Sequence, residues 1–350
     1  MSATRLIVTF ACKSAQMEQF IDNKKNIILV GHLNPDGDCI GSLTAMYYYL
    51  RQRGIKATMI VPNHFPITLK FLEPRESAIK IFSCCRDVCI KSVSNADLII
   101  CLDLNAFNRT EGIAPYLSES KADKILIDHH PMPDVNAFQL VISRTDVSSA
   151  CEILYYTLLE MSDIAGDTSR LCDKCATSLF TGMLTDTNNF CNSLFPGTFR
   201  MASALLSIGV DRNMIYNNVF CSYSTDRMRL LGKMLHEKMK IMPEYGVGYL
   251  TLSGEDKSQF NYHDGDSEGF VNMPLSIAGV VFSALFTENE DCVRVSLRSK
   301  GDIDVNNFSR RYCNGGGHVN ASGGRLYIPF SEVPDYFEKC IAEFFSGKGN

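Results

Sequence analysis

The stretch GHLNPDGDCIGS (Gly31–Ser42) decides how the first half of this chain folds. The apolar run NIILV precedes it and an apolar, helix-like run follows it, so the pattern predicts a buried strand that turns into a helix. The turn carries His32, Asp36 and Asp38, whose imidazole and carboxylate groups bind divalent metals. The stretch therefore predicts a strand–helix unit with chemistry at the carboxyl end of its strand.

The same alternation continues along the first half of the chain. Short apolar runs are found in KATMIVP, ADLIICLDLN, KADKILIDHHP and FQLVIS, and the longer segments SSACEILYYTLLEMS and RLCDKCATSLFTGMLTD have helical spacing. Continuous apolar runs that alternate with helices indicate a parallel sheet covered on both faces. We therefore predict an α/β catalytic domain over residues 1–195, built on a parallel sheet with helices on both faces.

The pattern changes beyond that domain. Three successive segments between residues 196 and 243 have helical spacing, and Pro243 ends them, which predicts a helical linker. The remainder, residues 244–350, has strand-like runs in GVGYLTLS, SIAGVVFSALFTE and CVRVSLRS, a glycine-rich turn NGGGHVNASGG and a closing helix around VPDYFEKCIAEFFSG. We expect a smaller mixed α/β domain there.

Composition limits the functions that the chain can have. Its 350 residues are enough for two domains, and a net charge of −5 gives no broad basic surface for an extended duplex. A small anionic substrate held by a few local cations remains compatible with this charge. We read no secretion signal and no apolar run of about 18–20 residues, so we expect no membrane span. The 14 scattered cysteines fit reduced thiols, and we expect a cytoplasmic protein.

Further metal-binding side chains follow other predicted strands and one predicted helix. Asp103 follows LIICL, the group Asp128, His129 and His130 comes at the end of KILI, and Asp186 ends a helix-like segment. The carboxyl ends of parallel strands lie at one edge of the sheet, so we expect these groups to converge. Taken alone, each aspartate has a simpler explanation, since Asp38 could cap the following helix and Asp186 could be a turn residue.

Convergence changes that assessment, because several carboxylates in one cleft repel each other unless cations neutralise them. Oxygen and imidazole ligands without cysteine suit Mn²⁺ or Mg²⁺, with Fe²⁺ or Co²⁺ as alternatives, better than a structural zinc site. Two such ions about 3.5–4 Å apart, joined by a carboxylate, would convert water into an attacking hydroxide. That chemistry fits phosphoester hydrolysis.

Five segments in register resemble one known family. HLNPDGD, LDLN, DHHP and TDTNNF resemble the four motifs of the DHH phosphoesterase superfamily, and NGGGHVNASGG after SLRSKGDIDV resembles the DHH-associated C-terminal domain. The layout is similar to the stand-alone nanoRNase/pAp-phosphatase group, and the resemblance extends from about Asn26 to the closing helix. One departure is the pair Asn188 and Asn189, where relatives often carry a smaller residue.

The resemblance implies roles for particular residues. In the catalytic domain it implies two metal ions bridged by Asp103, with His130 facing the scissile phosphate, Arg109 near that phosphate, and Asp128 orienting His129 or a metal-bound water. It also implies substrate binding in the C-terminal domain, where glycine amides would approach an anion and two side chains would bind a terminal phosphate or base. An ordinary tight turn is the alternative explanation for the glycines. The implied metal ligands are His32, Asp36, Asp38, Asp103, His129 and Asp186, and the implied substrate residues are Arg298, Gly315, Gly316, Gly317 and His318.

The resemblance implies a Mn²⁺-dependent phosphodiesterase and exoribonuclease that is also a 3′(2′),5′-bisphosphate nucleotidase. Short RNA and linear dinucleotides such as pApA and pGpG would give mononucleotides, and pAp would give AMP. The site would lie between the two domains, which suits short substrates. The alternatives are an inorganic pyrophosphatase of the same superfamily, a cyclic-dinucleotide phosphodiesterase, and an inactive nucleotide-binding sensor. Relatives often dimerise, so a homodimer is compatible with the resemblance.

Overall fold

The computed structural model describes residues 3–22, 24–74 and 79–347, and side chains from residue 12 onward. These residues form two compact units, Met1–Ser222 and Tyr223–Asn350. Within the described ranges, no helix combines the length and apolar character needed to cross a bilayer. The α-helices in the described part of the chain are α1 (Ala3–Asp22), α2 (Gly37–Gln52), α3 (Arg86–Ser94), α4 (Ala114–Glu119), α5 (Ala150–Leu159), α6 (Asp173–Asp186), α7 (Pro196–Ser207), α8 (Arg212–Phe220), α9 (Thr225–Lys233), α10 (Gly254–Gln259), α11 (Val305–Tyr312) and α12 (Val333–Ser346).

The first unit contains a six-stranded sheet in which every strand is parallel to its neighbours, in the order β3-β2-β1-β4-β5-β6. The two central strands are buried along their whole length, because helices cover both faces of the sheet. This confirms the predicted α/β class. Its strands are β1 (Ile27–Val30), β2 (Ala57–Val61), β3 (Ile79–Ile81), β4 (Leu98–Leu102), β5 (Asp123–Asp128) and β6 (Leu140–Ser143).

Two apolar cores flank this sheet. Helices α2, α5 and α6 pack over one face around fully buried side chains such as Leu43, Leu154 and Phe180. Side chains of α3 and α4, among them Val93 and Leu117, contribute to the core on the other face. Helices α7 and α8, within the predicted linker, pack against α6 in the first unit. The predicted domain bounds stay a prediction.

The second unit contains a mixed six-stranded sheet in the order β11-β12-β10-β9-β8-β7. Only β8 and β9 pair in parallel, and the other neighbouring strands are antiparallel. Helices α11 and α12 cover one face, and α9 with the 3₁₀ helix Phe270–Ser276 covers part of the other. Its strands are β7 (Met239–Met242), β8 (Val247–Leu252), β9 (Phe282–Glu288), β10 (Val293–Ser299), β11 (Gly316–His318) and β12 (Ala321–Leu326).

Two segments of the second unit differ from their predicted structure. The last predicted linker helix ends in a π-helical turn at Met234–Lys238, and Met239–Met242 forms strand β7. Pairing with β8 overrides the helical spacing there, because Pro243 and Gly246 (φ 64°) make the tight turn that joins the two strands. The predicted glycine-rich turn is largely a hairpin of β11 and β12.

Candidate metal centre

The first motif loop connects β1 to α2 and is fixed at both ends. Asp36 is the N-cap of α2, and its Oδ1 accepts hydrogen bonds from the backbone N–H groups of Asp38 and Cys39 at 3.1 Å. The capping role considered for Asp38 therefore belongs to Asp36. Asn34, in the left-handed region at φ 54°, exchanges two hydrogen bonds with Asn63 after β2. Asn63 carries no motif signal and is not among the predicted site residues.

Asp38 begins α2 but is held by a different helix. Its two carboxylate oxygens accept hydrogen bonds from the backbone N–H groups of Ala150 (2.6 Å) and Cys151 (2.9 Å), at the start of α5. The positive end of the α5 dipole therefore faces this buried carboxylate. Burial and the negative charge of Asp103 nevertheless raise its pKa well above the usual range. A buried carboxylate in this setting favours a nearby cation.

Asp103 lies between two histidines. Its Oδ2 is 3.3 Å from His32 Nε2, and its Oδ1 is 3.4 Å from His129 Nε2. His32 Nδ1 lies 2.8 Å from the carbonyl oxygen of Leu33, which directs Nε2 into the cluster. Among the described residues, His32 Nε2 and Asp103 Oδ1 are buried without a hydrogen-bond partner. Such buried polar atoms are expected where an ion is to be bound.

The six predicted metal ligands converge in two groups. The ligand atoms of His32, Asp36 and Asp103 lie within 4.8 Å of one another, and so do those of Asp38, His129 and Asp186. His129 Nε2 is 3.8 Å from Asp38 Oδ2 and 3.6 Å from Asp186 Oδ2. These oxygen and imidazole donors could hold divalent cations.

The charge balance of the cluster also fits cations. Burial opposes protonation of His32, but Asp103 and Asp36 raise its pKa to about 10, and burial raises the pKa of Asp186 to about 7. Likewise burial disfavours the charged form of His129, but Asp186 and Asp103 raise its pKa well above the ordinary value. The carboxylates therefore draw positive charge onto the imidazoles. Divalent cations would supply that charge in place of the protons.

His130 has a different environment from its neighbour His129. Its Nδ1 is 2.7 Å from Asp128 Oδ1, and its Nε2 is 2.8 Å from an Nη of Arg109. Arginine only donates, so Nε2 accepts and Nδ1 donates to Asp128. Burial lowers the pKa of His130, and the charge of Arg109 adds to this effect. Asp128 thus contacts His130, and its predicted role of orienting His129 or a metal-bound water stays a prediction. His130 also forms a third group with Asp103 and His129 that could hold an ion.

The predicted substrate residues lie in the second unit. Arg298 is on β10 and is in register with Ala321 of β12, which in turn is paired with His318 of β11. The N–H groups of Gly315 and Gly317 donate within the unit, to Ser309 O and Asn306 Oδ1. A Cβ at residue 315 would lie 1.9 Å from Gly323 O, so close strand packing requires this glycine. An anion-binding role for the loop stays a prediction.

Comparisons with known proteins agree with this architecture. Residues 26–183 match the DHH family, N-terminal domain, and residues 244–343 match the DHHA1 domain. The crystal structure of an exopolyphosphatase-related protein from Bacteroides fragilis is similar, with 35% identity, a TM-score of 0.88, and coverage of 95% of this chain and 96% of that chain.

Two curated relatives have more specific names. The bifunctional oligoribonuclease and PAP phosphatase NrnA of Bacillus subtilis (strain 168) is 27% identical over 86% of this chain and 89% of its own length. The cyclic-di-AMP phosphodiesterase PdeA of Listeria monocytogenes is 24% identical over 96% of this chain, which spans 50% of that protein. The chain thus belongs to the DHH family of phosphoesterases, with a DHH N-terminal domain followed by a DHHA1 domain.

Proposed function

We propose that this phosphoesterase hydrolyses short oligoribonucleotides and linear dinucleotides such as pApA to mononucleotides, and pAp to AMP, with Mn²⁺ as the preferred ion. The observation that carries the proposal is the arrangement of His32 and His129 on the two sides of buried Asp103. The name of the Bacillus relative, a bifunctional oligoribonuclease and PAP phosphatase, supports this substrate class.

In this proposal, His32, Asp36 and Asp103 hold one cation, and Asp38, Asp103, His129 and Asp186 hold the other. When bound, the two cations would lower the pKa of a water molecule and offset charge on the phosphoryl oxygens. The α5 amides keep Asp38 oriented, and the Leu33 carbonyl fixes the tautomer of His32.

Arg109 and His130 would act on the phosphate itself. The Arg109 guanidinium donates to His130 Nε2, so a phosphate oxygen could take the place of that acceptor. Asp128 accepts from both the ring Nδ1 and the backbone N–H of His130, which holds the ring in one orientation. His130 therefore keeps a proton on Nδ1 and presents Nε2 toward Arg109.

Short substrates suit the charge of the molecule. A net charge of −5 argues against a long cationic track for a polymer. Arg298 and His318 would bind the part of the substrate that is away from the metal centre. The Listeria relative supports one second candidate, cleavage of cyclic dinucleotides. An inactive sensor is disfavoured, since all six predicted ligand residues are present and converge.

The test is a panel of pApA, a 5′-phosphorylated trinucleotide, pAp and cyclic di-AMP, each incubated with Mn²⁺ or with a chelator. We expect Mn²⁺-dependent release of AMP from the linear substrates and from pAp. Asp103→Asn keeps the shape of the side chain, and we expect it to lower kcat by on the order of 10²–10³ or more, because it removes charge that stabilises the reaction.

Asp123→Asn is the matched control. Asp123 is at the opposite end of β5 and forms a surface ion pair with Lys24 at 2.6 Å, so its loss should leave turnover unchanged. Turnover of cyclic di-AMP alone would replace the proposal with its alternative. Near-wild-type activity of Asp103→Asn would contradict the bridging role of Asp103.

A further inference from the structure

Strand β10 has two faces of opposite character. Val293, Val295 and Leu297 are buried in the core beneath α11 and α12. Arg294 and Arg298 alternate with them, and so point to the other face of the sheet. Only part of that face is covered by α9 and the 3₁₀ helix Phe270–Ser276. The side chains on this half of β10 therefore remain accessible.

These accessible residues form one wall of a small polar pocket. Arg294, Ser296 and Arg298 line it from β10, and Thr287, which is in register with Arg294, lines it from β9. The opposite wall is the loop around Ser267 and Glu268. Hydroxyl and guanidinium donors converging on a small space are typical of a phosphate site.

The charge around the pocket favours an anion. Arg294 and Arg298 both line the pocket, and Glu268 is the acidic residue among its lining residues. Arg294 is also directly opposite Arg325 of β12, and both side chains are exposed.

We propose that Arg294 completes, with Arg298, Ser296 and Thr287, a subsite for a terminal phosphomonoester of the substrate. Arg298 alone would be enough for a singly charged phosphodiester, whereas two guanidinium groups favour the dianionic terminal group. Arg294 is therefore a specificity residue that selects 5′-phosphorylated dinucleotides over dinucleotides with a free 5′-hydroxyl. This inference rests on the proposed function, because it takes short nucleotides as ligands.

The experiment measures equilibrium binding of pApA and ApA to the full-length chain by calorimetry, with divalent metal chelated so that no turnover occurs. We expect the wild type to bind pApA more tightly than ApA. Arg294→Gln should weaken pApA binding about tenfold, the effect of losing one charge-assisted hydrogen bond, and leave ApA binding unchanged. Arg294→Lys keeps the positive charge but loses the planar guanidinium group, so it should recover part of the affinity for pApA that Arg294→Gln loses.

Arg311→Gln is the matched control, because Arg311 is exposed on α11, where it pairs with Glu343 of α12 on the covered side of the sheet. It should bind both ligands as the wild type does. The proposal is overturned if the wild type does not prefer pApA, or if Arg294→Gln weakens the binding of both dinucleotides equally or of neither. Failure to hydrolyse pApA in the presence of Mn²⁺ would instead count against the proposed function, since binding is measured without turnover.

Discussion

Asp103 combines an unusual backbone conformation with a buried side chain. Its backbone is in the left-handed region, at φ 58°, which costs free energy for a residue with a Cβ. The side chain is buried and reaches His32 on one side and His129 on the other. The hydrogen bond from its N–H to Ile127 O ties it to the neighbouring strand β5. We infer that this unfavourable backbone is retained because it directs one carboxylate between two imidazoles.

The adjacent residues His129 and His130 differ in their partners. Asp128→Asn would remove the charged acceptor of His130 while leaving the ligand atoms around His129 in place. We expect kcat to fall about 10- to 100-fold, with the bound Mn²⁺ unchanged, since an orienting residue is lost and no ligand is. Steady-state kinetics and metal analysis of the dialysed variant check this. Loss of one equivalent of Mn²⁺ would mean that Asp128 holds the metal.

At the scale of elements, the crossing of α2 and α6 sets the distance between their acidic residues. A Cβ at Gly41 would lie 2.8 Å from the backbone oxygen of Ser178, and a Cβ at Gly182 would lie 2.8 Å from Asp38 Oδ1. The two helices can therefore approach closely only because glycine occupies both positions. This contact brings Asp38 of α2 and Asp186 of α6 to the same histidine.

Gly41→Ala should therefore force α2 and α6 apart. We expect the free energy of unfolding of the first unit to fall by about 1–3 kcal/mol, the usual cost of overpacking, and Mn²⁺ affinity to fall with it. Urea unfolding and metal titration measure the two effects. Gly232→Ala in α9 is the control, because nothing lies within 4 Å of the new Cβ and alanine favours helix by about 0.5–1 kcal/mol. Equal stability of the two variants would contradict the close-packing argument.

In the second unit, Asp256 joins the π-helical turn to α10. Its carboxylate is buried and lies 2.8 Å from Lys233 Nζ and 3.2 Å from Lys238 Nζ, and it also accepts from Ser253. Burial alone would raise the pKa of Asp256, but the hydrogen bonds from Lys233, Ser253 and Lys238 outweigh burial and lower it to about 2. The charged form therefore stabilises the folded unit.

Because folding lowers the pKa of Asp256, its ionised carboxylate stabilises the folded state at pH values above about 4, the pKa of an unfolded aspartate. This stabilisation is lost as the pH falls toward 2. Asp256→Asn should reduce the free energy of unfolding of the second unit by about 2 kcal/mol at pH 7, and by progressively less from pH 4 to pH 2. Chemical unfolding across that pH range tests this. Asp291→Asn, in the exposed turn between β9 and β10, should show no such dependence. A stability difference that stayed constant between pH 7 and pH 2 would argue against the ion pairs.

At the scale of the whole molecule, all six predicted ligands belong to the first unit. They come from the loop after β1, from α2 and α6, and from the segments that follow β4 and β5. Metal binding should therefore stabilise that unit selectively. At a free Mn²⁺ concentration 100 times the Kd, binding to the folded state alone adds about 2.7 kcal/mol to the free energy of unfolding of the first unit. Hydrogen exchange read by mass spectrometry should show added protection within residues 24–222 and none within residues 223–347.

Asp103→Asn should abolish that protection, whereas Asp123→Asn should keep it. Protection spread equally over both units would contradict a metal centre built by the first unit alone.

Local patterns determined much of this protein. Strands β1 (IILV) and β4 (LIICL) are apolar along their whole length, and β2, β5 and β6 contain shorter apolar runs. Such a run predicts a buried parallel strand and is contained in a few consecutive residues. The metal-binding side chains follow those strands or end a helix, so their convergence could be predicted from strand order and helix ends. The short strand β3 and helix α3 were missed, because three and nine residues of mixed character give little signal.

Only the tertiary structure decided which groups meet across the sequence. Backbone N–H groups at the start of α5 bind the carboxylate of Asp38, which lies more than a hundred residues earlier in the chain. Asp128 is the hydrogen-bond partner of His130. Strand pairing converted Met239–Met242 from a predicted helix to β7, and the register of β10 with β12 placed Arg294 opposite Arg325. These contacts depend on register, helix crossing and side-chain direction, which arise when distant segments pack and which short-range periodicity does not encode.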